Sequence, residues 1–285
     1  MYSNTTSISN HDYYTDRYSG LRCEKLLKHV ANLTLEQAIR DITSWNVLFL
    51  DDFANRLAGK SVLELGSGDG VNALLMAKHG AKVTAIELAE PAARVLQEAS
   101  DTLGLGIRAL HGDFLSHDLP KFDFIIGKAF LHHLDHDLED RFLSKCAQLL
   151  NVDGEARFAE PAVNSRLLDA IRWLTPVPGR PSILSRRRFK EWQAADPHPE
   201  RDQSSAHYIE AGLRYFKSAD VVVCGGIERF RRFIVNREMS KAYARWALEA
   251  ERRYLPKSAH HLIARGQTII YSCPLPSANN MTTRD

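Results

Sequence analysis

The chain has 285 residues, of which 44% are hydrophobic and 25% charged, and its formal net charge is +2 at pH 7. These values are ordinary for a soluble globular protein, and no apolar run approaches the roughly twenty residues of a membrane span, so they exclude a membrane-spanning protein. The charge is uneven, since residues 1–150 carry 15 basic and 20 acidic side chains and residues 151–285 carry 22 and 15.

The N-terminal region predicts a polar tail followed by helices. Residues 1–16 lack the apolar core of a signal peptide, which predicts a cytoplasmic location. Apolar residues then recur three and four apart between Arg22 and Asn55, a spacing that predicts two or three helices.

The central region alternates short β-rich runs with helical runs. The spacing predicts strands at 61–65, 82–87, near 106–110, at 122–126 and near 155–159, and helices near 71–79, 90–103 and 139–150. Such alternation predicts an α/β fold in which helices cover both faces of a parallel sheet. Ligands of these sheets bind beyond the carboxyl ends of the strands, which here carry Gly66, Glu87, Asp113, Gly127 and Glu160.

The C-terminal region is less regular. Aromatic and aliphatic residues three and four apart predict a long helical region from about Glu228 to Tyr254. The β-rich run from Gly266 to Cys273 predicts the last strand, and the tail beyond Pro274 is predicted to be disordered. Arg186, Arg187 and Arg188 form the densest basic run, which we interpret as a solvated helix face.

The most informative motif is a glycine-rich turn after the first predicted strand. Gly66, Gly68 and Gly70 permit positive φ and a close approach of backbone to ligand, so an adenosine-containing ligand can lie against the turn. Glu87 ends the next predicted strand, where its carboxylate is expected to accept hydrogen bonds from both ribose hydroxyls of such a ligand. A dinucleotide site needs GxGxxG, whereas this spacing is GxGxG and Val71 follows it.

This turn, with the acidic Glu64 two residues before it, resembles motif I of the class I S-adenosylmethionine (SAM)-dependent methyltransferases. The runs HGDFLSHDLP (111–120) and FDFIIGKAFLHHL (122–134) resemble later motifs of the family, so the resemblance covers about residues 61–161. It implies a seven-stranded, mostly parallel, Rossmann-like sheet. The divisions it implies are an N-terminal helical lid (1–55), a SAM-binding core (56–165), cap helices with the final strands (166–275) and a tail (276–285).

The resemblance also implies which residues hold SAM. The glycine turn would contact the methionine part and the ribose of SAM, and Asp113 and Phe114 would contact its adenine. The backbone carbonyls of Gly127 and Lys128 would contact the SAM ammonium group, and N-terminal tyrosines would close over the cofactor. An ordinary turn residue is the alternative for Asp113, and a mobile tail is the alternative for the tyrosines. The full cofactor set is Glu64, Gly66, Ser67, Gly68, Gly70, Glu87, Leu88, Asp113, Phe114, Gly127, Lys128, Tyr14 and Tyr18.

Two adjacent histidines are the candidate catalytic residues. His132 and His133 would lie near the departing methyl group, where a hydroxyl or acidic-carbon acceptor needs a base and histidine titrates near neutral pH. We expect His133 to be the base ahead of His132. The alternatives are that both histidines only pack, and that proximity and desolvation alone provide catalysis.

Residues after the fifth strand are similar to a subgroup of bacterial small-molecule methyltransferases. The matching residues are Glu160, Pro161, Asn164, Arg172, Thr175, Pro176, Arg180 and Pro181, and Ser165 departs from the pattern. The subgroup implies a natural-product tailoring enzyme with a small-molecule acceptor. Trp173, Phe230 and Tyr243 would then line the acceptor pocket, unless the long helical region only packs on the sheet.

Several alternatives remain open at this stage. An NAD(P)-dependent oxidoreductase, a SAM-binding protein without activity and an RNA methyltransferase would each use part of these features, and a homodimer is also open. Four scattered cysteines without CxxC, and twelve histidines without HExxH, predict no metal site. Membrane binding is not expected, and the missing NPPY-type sequence after strand four argues against nucleic acid.

Overall fold

The computed structural model describes residues 4–162, 173–174, 181–194 and 202–276, without the side chains of residues 4–10 and Arg232. The helices are α1 (Asn4–Tyr18), α2 (Cys23–Val30), α3 (Leu35–Asp41), α4 (Thr43–Leu48), α5 (Val71–Lys78), α6 (Glu90–Leu103), α7 (His136–Leu149), α8 (Arg186–Ala194), α9 (Ser205–Leu213), α10 (Arg237–Tyr254) and α11 (Lys257–Ile263). Each of these helices is too short or too polar to cross a membrane.

The described strands form one seven-stranded sheet. They are β1 (Ser61–Leu65), β2 (Lys82–Glu87), β3 (Arg108–His111), β4 (Phe122–Lys128), β5 (Leu150–Pro161), β6 (Phe216–Cys224) and β7 (Gly266–Pro274). Their order is β3-β2-β1-β4-β5-β7-β6, and only β7 runs antiparallel to its two neighbours. The predicted seven-stranded, mostly parallel sheet with helices on both faces is therefore confirmed.

Two apolar clusters cover the two faces of the sheet. Val62 of β1 faces a cluster that includes α2, α5 and α6, whereas its neighbours Leu63 and Leu65 face a second cluster that includes α7 and α9. Successive side chains of a strand point to opposite faces, so a strand buried on both sides is apolar at nearly every position. This burial fixes the register of the central strands and therefore the level at which they end.

Local signals set several helix starts. Thr34 and Gln37 form a capping box at α3, and Asp135 accepts the Leu138 N–H at 2.8 Å to begin α7. Each cap satisfies a backbone donor that the first turn of a helix leaves without an internal partner. Asp135 thus fixes where the chain turns back from the carboxyl end of β4.

The structure differs from the predicted elements in four places. The strand predicted near 155–159 is longer than expected, because β5 begins at Leu150 directly after α7, with a register irregularity opposite Phe122–Phe124. The predicted polar tail contains helix α1. The predicted helical region from 228 is a 3₁₀ segment over Glu228–Phe233 followed by α10, and the strand β6 was not located in the sequence. The predicted disordered tail lies almost entirely outside the described residues.

Candidate active site

The candidate site lies at the carboxyl edge of the sheet, between β1 and β4. The chain passes from β1 to β2 and β3 on one side and then to β4 on the other, so the strand order reverses between β1 and β4. Helices after these two strands lie on opposite faces, which leaves a crevice outside the strand ends. The predicted glycine turn follows β1, and the predicted histidines follow β4.

The glycine turn has the backbone conformation that its sequence predicts. Gly66, Gly68 and Gly70 have φ values of +67°, +55° and +77°, in the left-handed region that favours glycine. A Cβ built on Gly66 would lie 2.9 Å from Phe130, and one on Gly68 would lie 2.8 Å from the Tyr18 hydroxyl. Two aromatic side chains therefore lie directly over the turn.

Glu87 lies against this turn, as predicted. Its Oε2 accepts the Gly68 N–H at 2.8 Å, and its Oε1 accepts the Ala89 N–H at 3.0 Å. Burial raises the pKa of the carboxyl above its usual value, although backbone N–H bonds oppose the shift. The neighbouring Leu88 is half-buried. Glu87 and the turn thus form one hydrogen-bonded unit.

Glu64 is buried beneath the turn. Its Oε1 accepts from Asn72 Nδ2 at 2.6 Å, and burial raises the pKa of Glu64 to about 8. Among the described residues, its Oε2 has no hydrogen-bond partner, and neither has the nearby Ser67 Oγ. Buried polar atoms without a partner carry a free-energy cost that a polar ligand can remove.

Asp113 and Phe114 lie in a short turn after β3. One carboxylate oxygen of Asp113 accepts the Leu115 N–H at 2.9 Å, which corresponds to the alternative of a turn residue. The Phe114 ring is in the core, with its centroid 5.0 Å from that of Phe142. Neither geometry tests a contact with adenine, so both cofactor assignments stay predictions.

Gly127 and Lys128 end β4. A Cβ on Gly127 would lie 2.9 Å from Phe158, so close strand packing alone requires glycine here. The Lys128 ammonium lies 5.1 Å from the ring centroid of Trp45, a cation–π distance. The predicted role concerns the two carbonyls, and it stays a prediction.

His132 lies in a 3₁₀ turn after β4 and is bonded to a buried carboxylate. Its Nδ1 is 2.6 Å from Oε2 of Glu160, the last residue but one of β5. The sequence placed Glu160 at this edge but did not pair it with a histidine. No local spacing reveals the pair, because 28 positions separate the two residues and the pairing of β4 with β5 brings them together.

His133 points to the N-terminal helix. Its Nε2 is 3.1 Å from the Tyr14 hydroxyl, and the ring centroids are 5.5 Å apart. Burial raises the pKa of Tyr14 to about 12, so the phenol is protonated at neutral pH. The His132 and His133 ring centroids are 4.2 Å apart. The two predicted catalytic residues and a predicted lid residue therefore form one cluster.

Helix α1 crosses the carboxyl edge with one face toward the site. His11, Tyr14 and Tyr18 share that face by helical spacing, and the His11 ring centroid is 6.3 Å from that of His111 at the end of β3. Burial raises the pKa of Tyr18 to about 12 as its hydroxyl lies against Gly68. This placement agrees with the predicted lid over the glycine turn. The alternative prediction from the sequence was a mobile tail.

Among the described contacts, the three predicted acceptor-binding residues each belong to a different aromatic group. Trp173 packs against Phe189 and Trp192 of α8, with centroids 5.5 and 6.0 Å away. Phe230 is 52% exposed. The Tyr243 hydroxyl donates to the Ile227 carbonyl at 3.2 Å, a structural use. Their common role in one pocket stays a prediction. The subgroup residues Asn164, Arg172, Thr175, Pro176 and Arg180 lie outside the described residues.

Comparison with known proteins identifies the central region. Residues 62–154 match the family model described as a methyltransferase domain. A ubiquinone biosynthesis O-methyltransferase of Coxiella burnetii is 31% identical over 105 residues, which cover 36% of this chain and 44% of that protein. The chain thus spans less than half the length of this curated relative.

Two solved structures share the fold. An N-methyltransferase of Haemonchus contortus, in complex with phosphomonomethylethanolamine and S-adenosylhomocysteine (SAH), is 13% identical with a TM-score of 0.53, covering 81% of this chain and 52% of that one. The geranyl diphosphate C-methyltransferase of Streptomyces coelicolor A3(2), in complex with Mg²⁺, geranyl diphosphate and SAH, is 15% identical with a TM-score of 0.51, covering 81% and 79%. At these identities the comparison identifies the fold alone.

No group of three metal-binding side chains occurs within the described ranges 4–162, 173–174, 181–194 and 202–276. Within the same ranges the four cysteines are free thiols, three of them buried.

Proposed function

We propose that this chain, whose residues 62–154 match the model of a methyltransferase domain, is a class I SAM-dependent methyltransferase that transfers the methyl group of SAM to a small organic acceptor, a secondary metabolite. One observation carries the proposal. The Glu87 carboxylate accepts a hydrogen bond of 2.8 Å from the Gly68 N–H in the turn after β1, and the His132–His133 pair follows the adjacent strand β4. A nucleoside site and a proton acceptor thus share one crevice.

The residues present fit the cofactor. The turn has the positive φ values that allow close approach of a ligand, and the Glu87 carboxylate beside it would accept hydrogen bonds from the ribose hydroxyls. Glu64 Oε2 and Ser67 Oγ are buried polar atoms without a partner in the described part of the chain, and they could bond the polar methionine end. Tyr18, against Gly68, would cover the ligand.

The acceptor and its proton define the chemistry that the protein must support. When bound, SAM supplies an electrophilic methyl group, whose carbon bonds to the acceptor lone pair while the carbon–sulfur bond breaks and its electron pair passes to sulfur, leaving SAH. A hydroxyl acceptor loses its proton during this step, and the imidazole of His133 or His132 can take it. Helix α1, which contacts the turns after β1 and β4 through Tyr18 and Tyr14, would exclude water from the crevice and so favour a transition state in which the sulfonium charge is dispersed.

Calorimetry on the whole chain tests the cofactor. We expect SAM and SAH each to bind with one site per chain and NAD to give no heat, because the turn lacks the third glycine position of a dinucleotide site. Binding of NAD without SAM or SAH would replace the proposal with the oxidoreductase alternative. An inert protein in all three titrations would refute cofactor binding altogether.

Turnover assays test the acceptor. The curated relative is named an O-methyltransferase, which makes a hydroxyl the first acceptor to examine. SAH formation is measured with 3,4-dihydroxybenzoate, a primary aliphatic amine and a β-diketone, which offer oxygen, nitrogen and carbon. Bulk tRNA is the competing arm, because the C-terminal half is basic. Methylation of tRNA alone would refute the small-molecule proposal, and SAM binding without SAH formation across a broad panel would favour a non-catalytic protein.

A further inference from the structure

The carboxylate of Glu160 organises the turn that carries the histidines. The side chain has 0% exposure, its Oε1 accepts the N–H groups of Phe130 at 2.9 Å and Leu131 at 2.7 Å, and its Oε2 contacts His132 Nδ1 at 2.6 Å. The turn begins at Ala129, whose φ of +54° is uncommon for a residue with a Cβ. Glu160 therefore stabilises an unfavourable backbone conformation and contacts a histidine within it.

The hydrogen bonds of Glu160 define the proton on His132. An ionised carboxylate can only accept, so the contact of 2.6 Å requires a proton on His132 Nδ1. In the neutral imidazole this leaves Nε2 as the acceptor nitrogen. A buried carboxylate that fixes the tautomer and ring orientation of a histidine is a recurring way to prepare a general base.

We propose that Glu160 is a positioning residue that holds His132 in the Nδ1–H tautomer, so that His132 Nε2 takes the proton of the methyl acceptor. This inference rests on the proposed function. It places His132 ahead of His133, the reverse of the order expected from the sequence. The reason is that Glu160 fixes His132 to β5 of the rigid sheet, whereas the contact of His133 is with Tyr14 of the N-terminal helix, outside the sheet.

The E160Q substitution should change the tautomer of His132 and keep the hydrogen bonds that hold the backbone of the turn. The amide oxygen of the variant can still accept the N–H groups of Phe130 and Leu131, while its amide nitrogen faces His132 as a donor. His132 Nδ1 must then accept, and its proton moves to Nε2, which can no longer act as the base. Backbone packing is retained because the two side chains have nearly the same shape.

A matched control exists on α7. The Glu139 side chain also has 0% exposure, and its Oε2 is 2.6 Å from His207 Nε2, so E139Q neutralises a comparable buried carboxylate–histidine pair that joins α7 to α9. Any general effect of losing such a charge appears in both variants. Only E160Q should change the state of His132.

The experiment combines NMR of ¹⁵N-histidine-labelled protein with kinetics and SAH calorimetry. The His132 signal is assigned by its absence in H132N. We expect Nδ1–H in the wild type and Nε2–H in E160Q, with turnover reduced about 100-fold or more and SAH affinity within about twofold. E139Q should keep turnover within about threefold of wild type, since this substitution changes the stability of the protein and not the proton transfer at His132.

Clear results would overturn the inference. These are a wild-type His132 whose proton is on Nε2, a doubly protonated His132, or an E160Q enzyme that turns over like E139Q. If E160Q fails to fold, the wild-type spectrum compared with H132N still decides where the proton lies. A wild type that neither binds SAH nor forms it refutes the proposed function, whereas full turnover by E160Q refutes only the role of Glu160.

Discussion

The turn after β1 and the turn after β4 lie at the same edge of the sheet, yet they are stabilised by different contacts. In the first, glycines provide positive φ and Glu87, nineteen positions after Gly68, bonds the backbone. In the second, Ala129 adopts positive φ without glycine, and the histidines are held by Glu160 and Tyr14. The first turn is built mainly from local sequence, and the second needs contacts between distant segments.

The same contrast separates the tasks of the two turns. A turn of backbone N–H groups and small residues suits any molecule that carries the same nucleoside, and it needs few side chains. Proton transfer depends on the orientation of one nitrogen, and side chains from other elements must fix that orientation. Substitutions in the first turn should therefore change cofactor affinity, and substitutions in the second should change turnover.

The largest expected effect is in the turn after β4. H132N keeps an amide donor toward Glu160 and removes Nε2, so we expect turnover to fall about 10²- to 10⁴-fold while SAH affinity is unchanged. H133A should slow turnover less and also preserve SAH affinity. Steady-state SAH formation and calorimetry provide both values. A greater loss in H133A than in H132N would restore His133 as the base.

Beneath the first turn, we expect a pH-dependent effect on stability. The pKa of Glu64 is raised from 4.5 to about 8 because the carboxyl is buried, so its contribution to folding is fully present below pH 4.5 and is lost as pH rises through 8. E64Q keeps the acceptor for Asn72 and cannot ionise. Its free energy of unfolding should therefore improve relative to wild type by on the order of a few kcal/mol between pH 5 and 9.

Denaturant unfolding across that pH range measures this difference. E90Q is the control, because Glu90 is an exposed acid of α6 that pairs with Arg94. A constant gap between wild type and E64Q from pH 5 to 9 would mean that Glu64 titrates as an ordinary acid.

A smaller effect is expected for the proposed contact between Glu87 and the cofactor. E87A removes the acceptor of the Gly68 N–H and would remove a charged acceptor from the ribose, which we expect to raise the Kd for SAM about 10- to 100-fold, or roughly 1.5–3 kcal/mol. Calorimetry with SAM measures the change, and E90A is a nearby control outside the crevice. An unchanged Kd would remove Glu87 from the cofactor site.

The smallest expected effect concerns the contact between Tyr14 of the lid helix and His133 of the turn after β4. Y14F deletes the hydroxyl that lies 3.1 Å from His133 Nε2 and keeps the ring contact. One hydrogen bond of this kind contributes about 1 kcal/mol, so kcat/KM should fall roughly fivefold. Y13F is the control, since Tyr13 is 42% exposed. Equal kinetics for the two variants would show that the contact with His133 has no kinetic role.

The fold could largely be predicted because its signals are local. Apolar runs such as Ser61–Leu65 and Lys82–Glu87 predicted strands whose observed bounds are the same. The strand β6 was not predicted, because the polar residues Lys217, Ser218 and Asp220 interrupt its first half and leave an apolar run of only four residues, 221–224. Helix α1 was missed because its sequence is polar, and its order depends on contacts with the edge of the sheet.

Within the site, the sequence was sufficient where backbone conformation decides. The GxGxG spacing predicted the positive-φ turn, and the end of β2 predicted the position of Glu87 beside it, because glycine alone adopts positive φ without strain and a strand end has a fixed place in a parallel sheet. It also placed two histidines and the acid Glu160 at the same edge.

Only the tertiary structure decided which side chains contact one another there. The pairing of β4 with β5 brings Glu160 to His132, and the docking of α1 brings Tyr14 to His133, across 28 and 119 positions of sequence. The physical reason is that a hydrogen bond requires atoms within about 3 Å and correctly oriented. Chain spacing does not specify such distances between segments that meet only when the sheet and the lid helix have packed.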